Sequence, residues 1–104
     1  AGGTANRGHI GVAIETVSKG MAAAIGLPTA EGAVVNSVEK DGPADKAGLE
    51  AGDVILLFDG KPVRSSSDLP RMIESTKPGT RANLQVWRKG AHRELSVIVG
   101  EAVK

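Results

Sequence analysis

The sequence predicts a mainly β fold with two main helices, arranged as a small, partly open barrel or sandwich that the helices cap. Three observations predict it. The chain has 104 residues, which is the size of one ordinary domain. Its apolar residues change along the chain between the two-residue period of strands and the longer period of helices. Turn signals such as Asp41-Gly42 and Asp59-Gly60 separate these segments.

The first element is predicted to be a half-buried strand over Ile10–Glu15, because apolar residues recur there at every second position. Gly11 inside this strand weakens it and indicates a place where another backbone or a ligand comes close. The side chains expected to share one face are Ile10, Val12 and Ile14.

Two short helices are marked by their ends. Ser18 can cap a helix through Ala22–Ile25, and Gly26 can stop it. Pro43 suits the first position of the second helix and Gly48 suits the residue just past its end.

The remaining strands follow from apolar runs and turn residues. The continuous apolar run Val54–Phe58 predicts a strand buried on both faces. Two alternating segments around Lys89-Gly90 predict a β-hairpin. The other predicted strands and the hairpin arms are Gly32–Glu39, Lys61–Val63, Ala82–Trp87 and His92–Val99.

A third helix is predicted from Ser65–Ser67, whose hydroxyls can cap it, to about Thr76. Pro70 then lies in the first turn, where its missing N–H is not needed. The stripe at helical spacing consists of Leu69, Met72, Ile73 and Thr76.

Composition excludes several classes of function. The net charge is +1 without a basic block, which argues against nucleic-acid binding. No apolar run is long enough to insert into a membrane. The chain has 0 cysteines, so disulfides and thiolate metal sites are excluded. Residues 1–6 are expected to be a flexible linker or a cloning remnant, and residues 7–104 the domain.

The sequence predicts no catalysis, no cofactor and no metal site. No serine lies in a nucleophile motif, and a serine protease needs a histidine base and an acid beside it. His9 and His92 are far apart, and too few to form a closed zinc site. The phosphate-binding and dinucleotide-binding glycine patterns are missing.

One segment predicts binding. Arg7–Val12 is a loop bracketed by glycines that runs directly into the first strand. Glycines let successive N–H groups converge on an anion, and an exposed edge strand can accept an added peptide strand. On the residues alone, an ordinary loop before an ordinary edge strand is the favoured interpretation.

A resemblance to a known family favours the binding hypothesis. The segment from Gly42-Pro43-Ala44 through Gly48-Leu49 to Gly52-Asp53-Val54-Ile55 resembles the central signature of bacterial PDZ domains. The start, Arg7-Gly8-x-Ile10-Gly11-Val12, resembles the carboxylate-binding loop in PDZ domains of HtrA/Do-type serine proteases. The resemblance covers about residues 7–100. It implies the circularly permuted PDZ order of bacterial proteins, in which the N-terminal strand borders the groove.

The resemblance also implies a binding site. The carboxylate-binding loop would consist of Arg7, Gly8, His9, Ile10, Gly11 and Val12, with no special role for the His9 side chain. The N–H groups of Ile10, Gly11 and Val12 would hold the carboxylate. A peptide with an apolar C-terminal residue would add antiparallel to Ile10–Glu15, which includes Ala13. Met72 is expected to form the pocket wall opposite Ile10, Val12 and Ile14. Leu69 and Ile73 would share its helix stripe but point into the core.

The partners implied are peptides or unfolded protein segments and the protease domain of a longer, periplasmic parent. This chain would be a non-enzymatic fragment of a serine endopeptidase. Two alternatives stay open: a PDZ domain of another bacterial envelope protein, such as an intramembrane or tail-specific protease or a secretion component, or a structural domain with a closed groove. The isolated domain is expected to be monomeric, and a tight trimer in ultracentrifugation would contradict this.

Overall fold

The computed structural model of the protein describes residues 8–28 and 30–101, so that the predicted linker 1–6 and Arg7 lie outside the described residues. Strands make up most of the regular structure, and three short helices interrupt them. The elements are β1 (Gly8–His9), β2 (Val12–Thr16), α1 (Lys19–Ile25), β3 (Ala33–Val38), α2 (Pro43–Ala47), β4 (Val54–Phe58), β5 (Lys61–Pro62), α3 (Asp68–Glu74), β6 (Arg81–Arg88), β7 (Ala91–Ile98) and β8 (Gly100–Glu101).

The main sheet is antiparallel and has the strand order β2-β3-β4-β6-β7, with β5 added to β4. β1 and β8 form a separate two-stranded sheet. The main sheet does not close, which confirms the predicted partly open, mainly β fold. Within the described residues β2 pairs with β3 alone, so one edge of β2 has no neighbouring strand. The predicted N-terminal strand is therefore an edge strand, and the β6–β7 hairpin completes the opposite side of the sheet.

Local sequence signals determine the first two helices and the hairpin as predicted. The Ser18 side chain accepts a hydrogen bond from the Met21 N–H at 3.1 Å, and Gly26 ends α1 with φ of 77°. Gly48 ends α2 with φ of 95°, a conformation that glycine adopts without steric cost. Lys89 and Gly90 both have positive φ, as the two-residue turn of a hairpin requires.

The start of α3 agrees with the prediction, but its capping differs. Ser67 is the residue at the N-terminal cap of the helix, yet its side chain makes no capping hydrogen bond and bonds to the Ser65 hydroxyl at 3.1 Å. The Asp68 carboxylate accepts from the Arg64 N–H at 3.1 Å. The helix ends at Glu74, two residues before Thr76.

Two apolar clusters lie on the two sides of β4. Ile55 belongs to the larger cluster under α3, and Val54 belongs to a smaller cluster under α1. Both side chains have 0% exposure, which confirms the prediction of a strand buried on both faces. α1 is further tied to the sheet by the Trp87 indole N–H, which donates to the Ile25 carbonyl at 2.9 Å.

Asp53 is the buried charged residue of the described chain, with 1% exposure. Arg88 on β6 donates from Nε to Asp53 Oδ1 at 2.7 Å and from Nη2 to Asp53 Oδ2 at 2.6 Å. The same Nη2 also donates to the Gly48 carbonyl at 2.8 Å, so the pair joins the end of α2 to β4 and β6. The hydrogen bond to Asp53 raises the pKa of Arg88 above its ordinary value, although burial opposes this shift.

Among the described residues, none of the helices is both long enough and apolar enough to cross a bilayer.

Candidate functional site

The connection between β1 and β2 points two backbone N–H groups toward an open side of the sheet. The Ile10 carbonyl accepts from the Ala44 N–H at 2.9 Å, and the Gly11 carbonyl accepts from the Glu39 N–H at 2.8 Å. In a planar trans peptide the N–H points opposite to the C=O. The N–H groups of Gly11 and Val12 therefore point away from α2 and β3, on the side where β2 has its unpaired edge.

Both conformation and space favour glycine at position 11. Its φ is +78°, which side-chain-bearing residues rarely adopt. A Cβ atom on Gly11 would lie 2.8 Å from Glu39 Oε1 and 3.1 Å from Glu39 Cβ. The Glu39 residue that holds the Gly11 carbonyl thus also limits the size of residue 11.

α3 lies beside the unpaired edge of β2 and runs antiparallel to it. At the C-terminal end of β2, the hydroxyls of Thr16 and Ser66 are 2.8 Å apart, and the Ser66 N–H donates to Thr16 Oγ1 at 3.1 Å. Ser66 immediately precedes α3, and the helix contacts β1 near the start of β2. The groove between β2 and α3 therefore begins at the Gly11 loop and ends near Thr16.

A pocket of about 140 Å³ opens in this groove. It is smaller than the ~300 Å³ or more of sites that enclose small-molecule ligands, and its lining is mostly aliphatic. It is suited to one aliphatic side chain beside the two loop amides. The lining residues are Ile10, Gly11, Val12, Ile14, Pro70, Ile73 and Glu74.

The residues predicted on the strand side lie at the groove. Val12 and Ile14 are half-buried and line the pocket, whereas Ala13 is exposed on the other face of β2. Ile10 also lines the pocket, but with 2% exposure it belongs mainly to the core. A register shift between Ala13 and Ile14 marks an irregularity in the β2–β3 pairing.

The first residues of the predicted loop are arranged differently from an open loop. Gly8 and His9 form β1, in which they pair with Glu101 and Gly100. Arg7 lies outside the described residues.

His92 is far along the chain on β7, where its ring packs edge-on against Trp87 at a centroid distance of 5.0 Å.

The predicted position of Met72 is wrong. Met72 lines a different pocket, of about 390 Å³, together with Phe58 and Asp68 on the other side of α3. Ile73 lines the groove pocket and Leu69 lies in the core, with exposures of 6% and 0%. Ile73 thus belongs to the core cluster and also occupies the place at the groove that the sequence assigned to Met72.

Sequence reasoning missed Pro70 and Glu74 as lining residues. Together with Ile73 they occupy positions i, i+3 and i+4 of α3, which place them on one side of a helix. That spacing is the signal in the sequence that indicates their shared side of the helix.

The described residues contain no group of three or more His, Cys, Asp or Glu side chains that could hold a metal ion.

Comparisons with known proteins agree on one family. A family model of the PDZ domain matches residues 8–99. A protein of Pseudomonas fulva named probable periplasmic serine endoprotease DegP-like is 49% identical over 100 residues, which are 96% of this chain and 21% of that protein. The chain thus spans about a fifth of the length of the curated relatives it matches.

Solved structures agree in fold. The HtrA-type protease AlgW with decapeptide matches with a TM-score of 0.85 and 32% identity, over 95% of this chain and 30% of that one. The HtrA3 PDZ domain bound to a phage-derived ligand, FGRWV, matches with a TM-score of 0.76 and 21% identity, over 93% of this chain and 88% of that one. At this lower identity the likeness concerns the fold alone.

Proposed function

Since the chain belongs to the PDZ domain family, we propose that it binds the carboxyl-terminal segment of peptides or unfolded proteins by adding the segment as a strand to β2. The observation that carries this proposal is an edge of β2 that pairs with no strand of the described residues, beside a pocket and two outward N–H groups. An added strand gains affinity from main-chain hydrogen bonds, and a pocket beside it provides specificity.

The site supports a defined orientation for the ligand. The N–H groups of Gly11 and Val12 would donate to the terminal carboxylate, and Arg7 would assist as a nearby cation. The last side chain would enter the pocket between Ile14 and Ile73, whose apolar lining favours an aliphatic residue. The peptide then runs antiparallel to β2 toward Thr16.

We also propose the biological setting. The DegP-like relatives are named periplasmic serine endoproteases, so this domain would dock substrates for the protease domain of a periplasmic parent. The domain by itself is proposed to be a monomer, because Ile98 is the large apolar side chain that the described residues expose.

Matched peptides test carboxylate capture. A peptide ending in valine with a free carboxylate is expected to bind with a roughly micromolar dissociation constant, equivalent to about −8 kcal/mol. Amidation removes the charge, and hydrogen bonds to a charged group are worth about 1.5–3 kcal/mol. The amide should therefore bind at least about tenfold more weakly in calorimetric titrations.

The comparison of the free-acid and amide peptides distinguishes a failure of carboxylate capture from a failure of peptide binding. Equal affinities of acid and amide would contradict carboxylate capture and leave binding of internal segments along β2. The absence of binding by either peptide would overturn the proposed function.

One substitution inside the groove and one outside it test the pocket. Ile14→Gln places a polar amide in the pocket and is expected to weaken binding of the free-acid peptide roughly fivefold or more, since a buried aliphatic side chain contributes about 1.5–3 kcal/mol. Met72→Gln changes a half-buried side chain outside the groove, so the affinity should stay the same. A loss of affinity only in Met72→Gln, with unchanged circular dichroism in both variants, would contradict the proposed pocket.

A further inference from the structure

Glu15 is a charged residue of β2 that does not line the pocket. Its side chain is exposed on the face of the strand opposite the pocket, which it shares with Ala13. The Asn36 side chain on β3 donates from Nδ2 to Glu15 Oε1 at 2.8 Å. Because the amide is neutral, it holds the carboxylate on the exposed face of the sheet without neutralising it.

The geometry of strand addition determines which ligand residue lies opposite Glu15. A terminal carboxylate at the N–H groups of Gly11 and Val12 places the last peptide residue opposite Val12. In an antiparallel pair each further peptide residue then faces the next residue of β2, so the fourth residue from the carboxyl terminus lies opposite Glu15. Side chains alternate between faces, so this fourth side chain points to the exposed face, as Glu15 does.

Directly opposite side chains in an antiparallel pair have Cβ atoms about 4.5–5.5 Å apart, close enough for charges to interact. The penultimate peptide residue lies on the same face but opposite Ala13, which has no charge. The last and third-from-last residues point toward α3 instead. The fourth position is therefore the one at which a peptide charge interacts directly with the Glu15 carboxylate.

We propose that Glu15 is a specificity-determining residue that selects peptides with lysine or arginine fourth from an apolar carboxyl terminus. This inference rests on the proposed addition of the peptide to β2. Asn36 acts as a positioning residue, since its hydrogen bond holds the Glu15 carboxylate on the exposed face of the sheet, the face to which the fourth peptide side chain also points.

The test compares free-acid peptides that end in valine and carry lysine, alanine or glutamate at the fourth position from the end. The lysine peptide should bind about fivefold more tightly than the glutamate peptide, from one favourable and one unfavourable cross-strand charge pair. Glu15→Gln keeps an oxygen for Asn36 and should abolish this preference, whereas Glu15→Lys should reverse it. The alanine peptide should bind equally to the protein and to Glu15→Gln.

A second lysine peptide controls for total charge. Its lysine is moved to the amino end, beyond the last residue of β2, so that only the position of the charge differs. It should bind like the alanine peptide. Equal binding of the lysine and glutamate peptides, or a preference that persists in Glu15→Gln, would overturn the role of Glu15 while leaving the proposed function intact. If the alanine peptide does not bind as a free acid, the proposed function fails, and the inference fails with it.

Discussion

Arg88→Met is expected to lower the free energy of unfolding by about 3 kcal/mol, because removing one partner of a buried ion pair leaves the other charge uncompensated. Asp53 is 1% exposed, and both of its carboxylate oxygens accept hydrogen bonds from Arg88. Since a domain of this kind has a total stability of about 5–15 kcal/mol, the loss is a large fraction of it. Urea unfolding followed by circular dichroism measures the change.

Two further variants show whether the buried charge is the cause. Arg93→Met removes an exposed arginine from the neighbouring strand β7 and should change the stability by less than about 0.5 kcal/mol. Adding Asp53→Leu to Arg88→Met removes the unpaired carboxylate and should restore part of the stability. The restoration is partial, because the Glu50 N–H loses Asp53 Oδ2 as its acceptor. A double variant less stable than Arg88→Met would contradict this account.

Gly11→Ala is expected to weaken binding of a free-acid peptide at least about tenfold, equivalent to 1.4 kcal/mol. The added Cβ would lie 2.8 Å from Glu39 Oε1 and 3.1 Å from Glu39 Cβ, so the loop or Glu39 must shift. The Gly11 carbonyl bonds to the Glu39 N–H, and the same peptide unit carries the Val12 N–H. A shift of the loop therefore turns the proposed carboxylate donor away from the ligand. Calorimetric titration measures the affinity.

Gly79→Ala is the matched control for backbone strain. Gly79 also has positive φ, at +91°, but nothing lies within 4 Å of an added Cβ. Both substitutions should lower stability by about 1–2 kcal/mol, the cost of the left-handed conformation for a residue with a Cβ. Only Gly11→Ala should lose peptide affinity. Equal losses of affinity would mean that strain in general, and not the geometry of this loop, impairs binding.

Features set by neighbouring residues could be predicted from the sequence. The cap at Ser18, the glycine ends of α1 and α2 and the turn at Lys89-Gly90 each depend on a few consecutive residues, and the structure has them as predicted. The same holds for β4, whose apolar run required burial on both faces. The fold class followed from these elements, because their order and short connections leave few ways to pair the strands.

The capping and the rotation of α3 could not be predicted from neighbouring residues. Its serines and the following aspartate are all suitable capping residues, and only their contacts decide among them. Ser66 bonds to Thr16, fifty positions earlier in the chain, while Asp68 closes the turn at Arg64. The rotation of α3 about its own axis depends on such contacts. A rotation by one residue would place Met72 at the groove instead of Ile73.

The sequence by itself therefore determined the mainly β fold, the order of its strands and helices and the turns that separate them. These properties follow from periodicity and backbone conformation, which are local. Only the tertiary structure decided the direction of the Gly11 and Val12 N–H groups, the face of α3 that lines the pocket and the pairing of Asp53 with Arg88. Each of these depends on atoms distant in the chain, such as the Ala44 and Glu39 N–H groups that orient the loop carbonyls, and no local pattern encodes where those atoms meet.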